Sequence, residues 1–196
     1  MSTSRLEALT DGVLAIIITV MVLELNVPGE PYTLSNLIDT SGVGLLTYVL
    51  SFVYIGIYWN NHHHMFQIVD YVDGSVLWAN LHLLFWLSLY PFTTAWLDES
   101  NVAVTPTVVY GVNLLAAALA YYVLQQRMMR VPDGGDRLRV VVGDDLKGKL
   151  SPVIYLVGIL LAFVEPWLAL VPFFVVAAMW LVPDRRIERI VSAAEE

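Results

Sequence analysis

The sequence contains no cysteine, and only 14% of its 196 residues are charged. Without cysteine there are no disulfide bonds and no thiol chemistry, and nothing in the sequence identifies a redox compartment. A soluble domain of this length would have about a quarter of its residues charged. Here 58% of the residues are apolar, and they form long runs instead of recurring at amphipathic spacing. This composition is typical of a polytopic helical membrane protein that forms one bundle.

Several patterns that carry chemistry or nucleic-acid binding are also missing. The net charge of −8 leaves no basic footprint for a nucleic acid. We find no Ser/His/Asp or Cys/His set, no paired carboxylate site and no glycine-rich phosphate loop. The sequence therefore predicts neither an enzyme nor a protein that depends on a cofactor.

Six apolar segments predict an all-α fold with six transmembrane helices in a single domain, residues 1–196. The predicted helices cover residues 5–25, 43–62, 76–96, 102–124, 150–164 and 167–182. Residues 125–149 are predicted to be a cytoplasmic loop, either a small interfacial element or a connector, and residues 183–196 a cytoplasmic tail. Ser35 is a candidate N-cap for a short helix before the second span, and Pro91 predicts a kink in the third.

The distribution of positive charge predicts the orientation. When successive loops are assigned to alternate sides of the membrane, all ten lysines and arginines fall on one side. Arg5 lies at the N-terminus, six others lie in residues 125–149, and three lie in the tail. The charged residues of the opposite loops are all acidic. By the positive-inside rule, both termini are predicted to be cytoplasmic and the number of spans to be even.

The first predicted helix has an acid at its start and a long apolar run behind it. Asp11 stands at the entrance, and Thr19 is the only polar side chain in the run that ends at Leu23. On a helix, Ile16, Val20 and Leu23 form one narrow stripe with Thr19 on its shoulder. Asp11 lies about 140° from Ile16, which predicts that it faces a neighbouring helix. An acid in a membrane helix is costly to keep and indicates a function.

Other polar residues have competing interpretations. The three adjacent histidines, 62–64, are predicted to cap a helix end or to bond neighbouring helices. Successive helical residues point about 100° apart, so one metal ion cannot readily use all three. A pH-sensing role together with Asp11 or Arg5 is the alternative, because histidine titrates near neutrality. Asn80 is predicted to form a hydrogen bond across helices, or else to line a conduction path.

The segment Thr107–Gly111 reads TVVYG, which is close to the potassium-channel filter TVGYG. The filter needs glycine at its third position, where this chain has the β-branched Val109. The segment is therefore predicted to be part of an ordinary membrane span.

The first three spans carry motifs that resemble a known family. Residues 5–13, R-x-x-x-L-T-D-G-V, are similar to the R-x-x-x-F-S-D-G-V signature of prokaryotic members of the transmembrane protein 175 family, potassium channels of lysosomes and bacteria. Leu9 replaces the phenylalanine of that signature and Thr10 its serine. The similarity continues through Ala15-Ile16, Thr19, Tyr58-Trp59-x-x-His62-His63, Phe66, Asn80-Leu81 and Pro91-Phe92.

The resemblance implies six spans per chain and a homotetramer whose first helices line a central pore. Members of the family use apolar residues of the first helix as the constriction. By position, the constriction and gate would be Ile16, with Val20 and Leu23 further out and Thr19 as a polar ring that contributes to selectivity. The resemblance also implies a structural polar network that consists of Arg5, Thr10, Asp11, His62 or His63, and Asn80.

The chain is therefore predicted to be a potassium-selective or potassium-preferring cation channel of the bacterial plasma membrane. It would conduct passively, with the lipid bilayer and potassium ions as its partners and without a cofactor. Two alternatives remain open: a proton-coupled transporter or proton-leak pathway that uses Asp11 and the histidines, and a non-conducting scaffold. The apolar stripe favours the channel, because a proton relay would place Asp11 on that stripe.

Overall fold

The computed structural model describes residues 3–69, 71–132 and 134–181, and it is all-α. In these residues the helices are α1 (Thr3–Leu23), α2 (Leu34–Ile68), α3 (Gly74–Ser88), α4 (Tyr90–Glu99), α5 (Val104–Met128), α6 (Gly135–Val142), α7 (Leu146–Leu161) and α8 (Pro166–Leu181). Three of them, α1, α2 and α5, are long and apolar enough to cross a membrane. The predicted tail, 183–196, and the last residue of the predicted sixth span lie outside the described residues.

The second helix is longer than the predicted range 43–62. It begins at Leu34 because the Thr33 hydroxyl accepts a hydrogen bond from the Asn36 amide at 3.3 Å. Ser35, the predicted N-cap, instead lies in the first turn and donates to Asp39. A helix of 35 residues is about 52 Å long, well beyond the apolar core of a bilayer. The apolar run in the sequence marks only the middle of this helix.

The third predicted span, 76–96, is divided into α3 and α4 at Leu89. The break lies two residues before Pro91, which has no N–H to donate to the preceding turn. The kink predicted from Pro91 is therefore confirmed. At the other end, α3 begins at Gly74 because Asp73 accepts hydrogen bonds from the Ser75 and Val76 amides at 2.8 and 3.0 Å.

The last two helices form a hairpin. Helix α7 begins at Leu146, earlier than the predicted 150, because Asp145 accepts a hydrogen bond from the Gly148 amide at 2.9 Å. Helix α8 begins at Pro166, next to the turn predicted at Glu165. Each helix has 16 residues and is about 24 Å long, shorter than an average bilayer core. The predicted loop 125–149 contains α6 and the flanking turns of α5 and α7.

We call the end of the bundle where α1 begins the basal end, and the opposite end the distal end. At the basal end, Glu7 on α1 lies 3.8 Å from His63 on α2. At the distal end, Asn26 donates to Asp98 on α4 at 3.3 Å. Helix α5 packs against α3, α4 and α7 at the centre of the bundle. The described lysines and arginines lie on the first turn of α1 and between the last turn of α5 and the first turn of α7, all at the basal end.

The TVVYG segment lies inside α5 and is fully helical. A Cβ atom at Gly111 would lie 2.7 Å from the ring of Phe173 on α8, so this glycine allows a close helix contact. The prediction of an ordinary helix at this segment is confirmed.

Candidate functional site

Helix α1 presents two different faces. One face packs against the rest of the bundle and carries Leu6, Thr10, Leu14, Ile17 and Met21. On the other face Ile16 is 63% exposed, Val20 37% and Leu23 81%. At 100° per residue, the centres of the two faces are about 120° apart. The predicted stripe is thus the apolar centre of a broader exposed surface of α1, which also includes Leu9 (47%) and Val22 (45%).

The Thr19 side chain lies at the edge of this stripe and is exposed. Its hydroxyl donates to the carbonyl oxygens of Ile16 at 2.9 Å and Ala15 at 3.1 Å. A hydroxyl has one proton and two lone pairs, so the lone pairs of this oxygen remain available as acceptors. Thr19 is therefore suited to offer an oxygen to a passing cation.

An open groove runs beside the stripe, between α1 and the α3–α4 segment, with a volume of about 690 Å³. Most of its lining is apolar, and two acids, Glu24 and Glu99, line its distal part. The full set of lining residues is Val13, Ile16, Ile17, Val20, Glu24, Ser88, Pro91, Phe92, Ala95, Trp96 and Glu99. The groove shares Ile16 and Val20 with the stripe, so the two form one continuous exposed surface of the single chain.

A chain of hydrogen bonds joins α1, α2 and α3 behind the stripe. The Asn80 amide nitrogen donates to the Thr10 hydroxyl at 3.0 Å, and the Asn80 oxygen lies 2.9 Å from His62 Nε2. All three side chains are at most 2% exposed. These bonds fix the rotation of α1 relative to its two neighbours.

Asp11 lies off the stripe and contacts α2. Its carboxylate accepts a hydrogen bond from the Trp59 indole N–H at 3.0 Å. Trp59 and His62 are three residues apart, so they lie on the same face of α2. Asp11 therefore bonds this face of α2 directly, whereas the adjacent Thr10 reaches the same face through Asn80 on α3.

The remaining predicted polar residues are arranged separately. His63 lies 3.8 Å from Glu7 through Nδ1 and 2.9 Å from the Gln67 amide through Nε2. Arg5 is exposed, and within the described residues it does not join the Thr10–Asn80–His62 chain. In the described part of the chain, no group of three or more Asp, Glu or His side chains is placed to hold a metal ion.

Sequence reasoning missed two polar features of the site. Trp59 was not expected to be the partner of Asp11, although its spacing from His62 places both on one helical face. A second buried cluster links α2, α4 and α5: the Ser51 hydroxyl is 2.7 Å from that of Thr94 and 2.9 Å from that of Tyr110. Single hydroxyls within apolar runs give no signal of which helix they contact.

Comparison with known proteins identifies the family. Residues 5–91 match the family model described as Endosomal/lysosomal potassium channel TMEM175. Over 96% of this chain and 97% of the relative, the sequence is 46% identical to a protein of Chryseobacterium sp. (strain P1-3) that is named a potassium channel. The chain belongs to the TMEM175 family. The resemblance drawn from the first three spans is thereby confirmed.

Two further TMEM175-type comparisons cover most of the chain. A protein of Chamaesiphon minutus named a potassium channel is 31% identical over 89% of this chain and 91% of its own length. A crystal structure of a lysosomal potassium-selective channel TMEM175 homolog from the same organism superposes with a TM-score of 0.77 at 30% identity, over 92% of this chain and 96% of that one. The chain is thus an integral membrane protein of a potassium channel family, not of an enzyme family.

Proposed function

We propose that this TMEM175-family chain forms a passive, potassium-preferring cation channel as a homotetramer in which α1 lines the central pore. The observation that carries the proposal is the exposed apolar stripe Ile16, Val20 and Leu23 on a helix whose other face is packed. A closed ring requires every copy to present the same face, which one narrow stripe on one helix satisfies. The names of the relatives support potassium as the permeant ion.

In the proposed pore, Ile16 forms the constriction, with Val20 and Leu23 further toward the distal mouth. Four branched apolar side chains around a narrow neck exclude water, and ions with it, until the neck widens. Ile16 is the member of the stripe closest to the basal end, and it is 63% exposed, so its side chain is available to project into a lumen. This arrangement makes Ile16 the gate.

Thr19 and the distal acids would act on the ion itself. The Thr19 hydroxyl gives its proton to backbone carbonyls, so its lone pairs form a ring of acceptors next to the constriction. This ring is our proposed contribution to potassium preference. Glu24 and Glu99 at the distal part of the groove would raise the local cation concentration through their negative potential.

The proposed topology has six spans, with α3 and α4 together forming the third and α7 and α8 forming the last two. Both termini face the cytoplasm of a bacterial cell, and the basal end of the bundle is the cytoplasmic one. The basal location of the described lysines and arginines supports this orientation through the positive-inside rule.

The hydrogen bonds behind the stripe would hold α1 at the rotation that the pore requires. Thr10, Asn80 and His62 form one part of this support, and Asp11 with Trp59 forms the other. A role for Arg5 and His63 in the same support stays a prediction.

Potassium flux into proteoliposomes that contain the purified chain tests the proposal. We expect fast flux that needs no proton gradient and is larger for potassium than for sodium. Ile16→Asn should raise the flux or reduce the preference for potassium, because a polar ring no longer dries the neck. Val22→Asn is the matched control, because Val22 is 45% exposed but lies about 120° from Ile16 around α1. The potassium flux of this variant should equal that of the unmodified chain.

The alternatives give different results in the same assay. Slow flux that requires a proton gradient would indicate a proton-coupled transporter. Absence of flux from both the unmodified chain and Ile16→Asn, with folded tetramers in each sample, would indicate a scaffold. Equal effects of Ile16→Asn and Val22→Asn would place the pore elsewhere than on this stripe.

A further inference from the structure

The last turn of α4 carries an acid that packs directly on a second helix. Asp98 is half-buried, and it follows Trp96, a residue type that marks the boundary of a membrane span. Its carboxyl group lies over Gly44 on α2, where a Cβ atom would be 2.5 Å from Oδ2 and 2.8 Å from Cγ. A side chain at position 44 would displace this carboxyl group, so the contact requires glycine.

The same carboxyl group is connected to the distal end of α1. Asn26 is the third residue after Leu23, where α1 ends. Its side-chain amide donates to Asp98 Oδ2 at 3.3 Å, and its carbonyl oxygen accepts a hydrogen bond from the buried Ser41 hydroxyl at 2.6 Å. Ser41 and Gly44 are three residues apart and share one face of α2. We call Asn26, Ser41, Gly44 and Asp98 the distal cluster, which joins the end of α1 to α2 and α4.

The turn after α4 fixes the position of Asp98 in this cluster. The Asn101 amide donates to the Asp98 carbonyl at 2.8 Å, and the Val102 amide donates to the Leu97 carbonyl at 3.0 Å. Val102 has a φ of +61°, which is unfavourable for a β-branched residue, yet its side chain is buried in the core. Asn26 lies in an exposed loop. The α4 side of the cluster is therefore the fixed side, and Asn26 is the side that it holds.

The neighbours of the Asp98 carboxyl group are uncharged or acidic. Ser41 and Gly44 face it from α2, and Asn26 faces it from the end of α1. Glu99 follows it on α4. The other charged residues near the distal helix ends are Glu24, Glu30, Asp39 and Glu165. Since the described lysines and arginines all lie at the basal end, no cation of the described chain stabilises the charged form of Asp98.

The packed position of Asp98 favours its protonated form. Both Asp98 and Glu99 stand in the last turn of α4, where the helix dipole disfavours negative charge. Burial raises the pKa of Asp98, the hydrogen bond from Asn26 offsets part of that rise, and the charge of Glu99 adds to it. By linkage, the packed position is most stable below the ordinary carboxyl pKa and loses stability as pH rises through the raised pKa.

We propose that Asp98 is a positioning residue for conduction, which holds the distal end of α1 through Asn26 while it is protonated and releases that end when it loses its proton. This inference rests on the proposed function, because α1 must line the pore for its distal end to matter. Leu23, the distal member of the stripe, lies three residues before Asn26. A held end therefore opposes the widening of the neck that conduction requires, and protonated Asp98 lowers the potassium flux.

A spin label tests the hold on α1 without any flux measurement. The chain has no cysteine, so Val27→Cys provides a single labelling site, exposed and next to Asn26. Electron paramagnetic resonance of the purified full chain in detergent measures the mobility of the label from acidic to neutral pH. We expect low mobility at acidic pH, high mobility at neutral pH, and a midpoint above the ordinary carboxyl pKa of about 4. In Asp98→Asn, which cannot ionise, the label should keep its low mobility at every pH.

Two further variants complete the label experiment. Asn26→Leu removes the connection to α1, so its label should be mobile at every pH. Asp39→Asn is the matched control, because Asp39 is an exposed acid at the same end of the bundle outside the cluster, and the transition should remain. An unchanged transition in Asp98→Asn would overturn the proposal. If that variant did not fold, low mobility at acidic pH in Asn26→Leu would overturn it equally.

Potassium flux into proteoliposomes at the same pH values tests the consequence for conduction. We expect the unmodified chain and Asp39→Asn to conduct more at neutral than at acidic pH. Asp98→Asn should lose this dependence and keep the low flux, and Asn26→Leu should lose it and keep the high flux. The same pH dependence in Asp98→Asn as in the unmodified chain would overturn the role in conduction. Absence of flux from every sample, with the label transition intact, would overturn the proposed function and not the hold of Asp98 on α1.

Discussion

Asn80→Leu should loosen α1 from the bundle, because Asn80 bonds two helices at once. Leucine has a similar size and shape, so the packing volume is kept while both hydrogen bonds are lost. The Thr10 hydroxyl, 1% exposed, and the His62 ring, 2% exposed, would then lose a partner that water cannot readily replace. The expected result is a less stable bundle with a more mobile first helix.

The size of this effect follows from hydrogen bonds in membrane proteins. A bond between helices contributes about 0.6 kcal/mol on average and about 1.7 kcal/mol at most. Asn80 makes two such bonds, so Asn80→Leu should lower the free energy of unfolding by about 1 to 3 kcal/mol. Thr10→Val removes one bond and should cost about half as much, because Asn80 still bonds His62.

Unfolding in mixed micelles of a mild detergent and dodecyl sulfate, followed by circular dichroism, measures these changes. The decisive quantity is the coupling between Thr10→Val and Asn80→Leu in a double-mutant cycle. Once Asn80 is gone, Thr10→Val should cost little more, which gives a coupling of about 0.5 to 1.5 kcal/mol. Asn60→Leu is the control, since Asn60 is exposed on α2 and should change stability by less than about 0.5 kcal/mol.

Additive losses from Thr10→Val and Asn80→Leu would refute the reasoning, since they would mean that the two side chains stabilise the bundle independently. A large loss of stability in Asn60→Leu would also refute the reasoning, because an exposed polar residue at the basal end of α2 would then stabilise the bundle as much as the buried Asn80. A coupling near the expected value, combined with reduced flux, would link this hydrogen-bond chain to the position of α1.

Two further changes probe the packing of α5 and the start of α3. Gly111→Ala should destabilise the chain by about 1 to 3 kcal/mol in the same unfolding assay, because the new Cβ would lie 2.7 Å from the Phe173 ring. Gly56→Ala is the control, since Gly56 has open space around it and the substitution should not destabilise the chain. Asp73→Ala should cost about 1 kcal/mol through loss of the α3 cap, and Asp73→Asn much less. Hydrogen bonds, first of all from the Ser75 hydroxyl, lower the pKa of Asp73. The Asp73 carboxylate therefore stabilises the fold fully above the ordinary carboxyl pKa, and this stabilisation should be lost as pH falls through the lowered pKa. Measuring the free energy of unfolding at several pH values, for the unmodified chain and for Asp73→Asn, checks this expectation.

The boundaries of the helices show where local sequence is sufficient. Pro91 predicted the break in the third span, because the loss of a backbone donor is a property of that residue alone. The start of α2 was not found, because Thr33, Ser35 and Asn36 are all acceptable caps and only the path of the preceding loop selects Thr33. Hydropathy likewise detected the apolar middle of α2 and not its polar ends.

The sequence by itself determined the class of protein, the stripe Ile16, Val20 and Leu23 on α1, and the family, because composition, helical period and motif spacing are properties of the chain. Only the tertiary structure decided which side chains meet: Asn80 with Thr10 and His62, Asp11 with Trp59, and α6 against the end of α2. The physical reason is the distance along the chain over which a sequence pattern carries information. Helical periodicity relates residues within a few turns, whereas these contacts join residues 18 to 70 positions apart. They depend on how helices pack around a shared core, which no local pattern records.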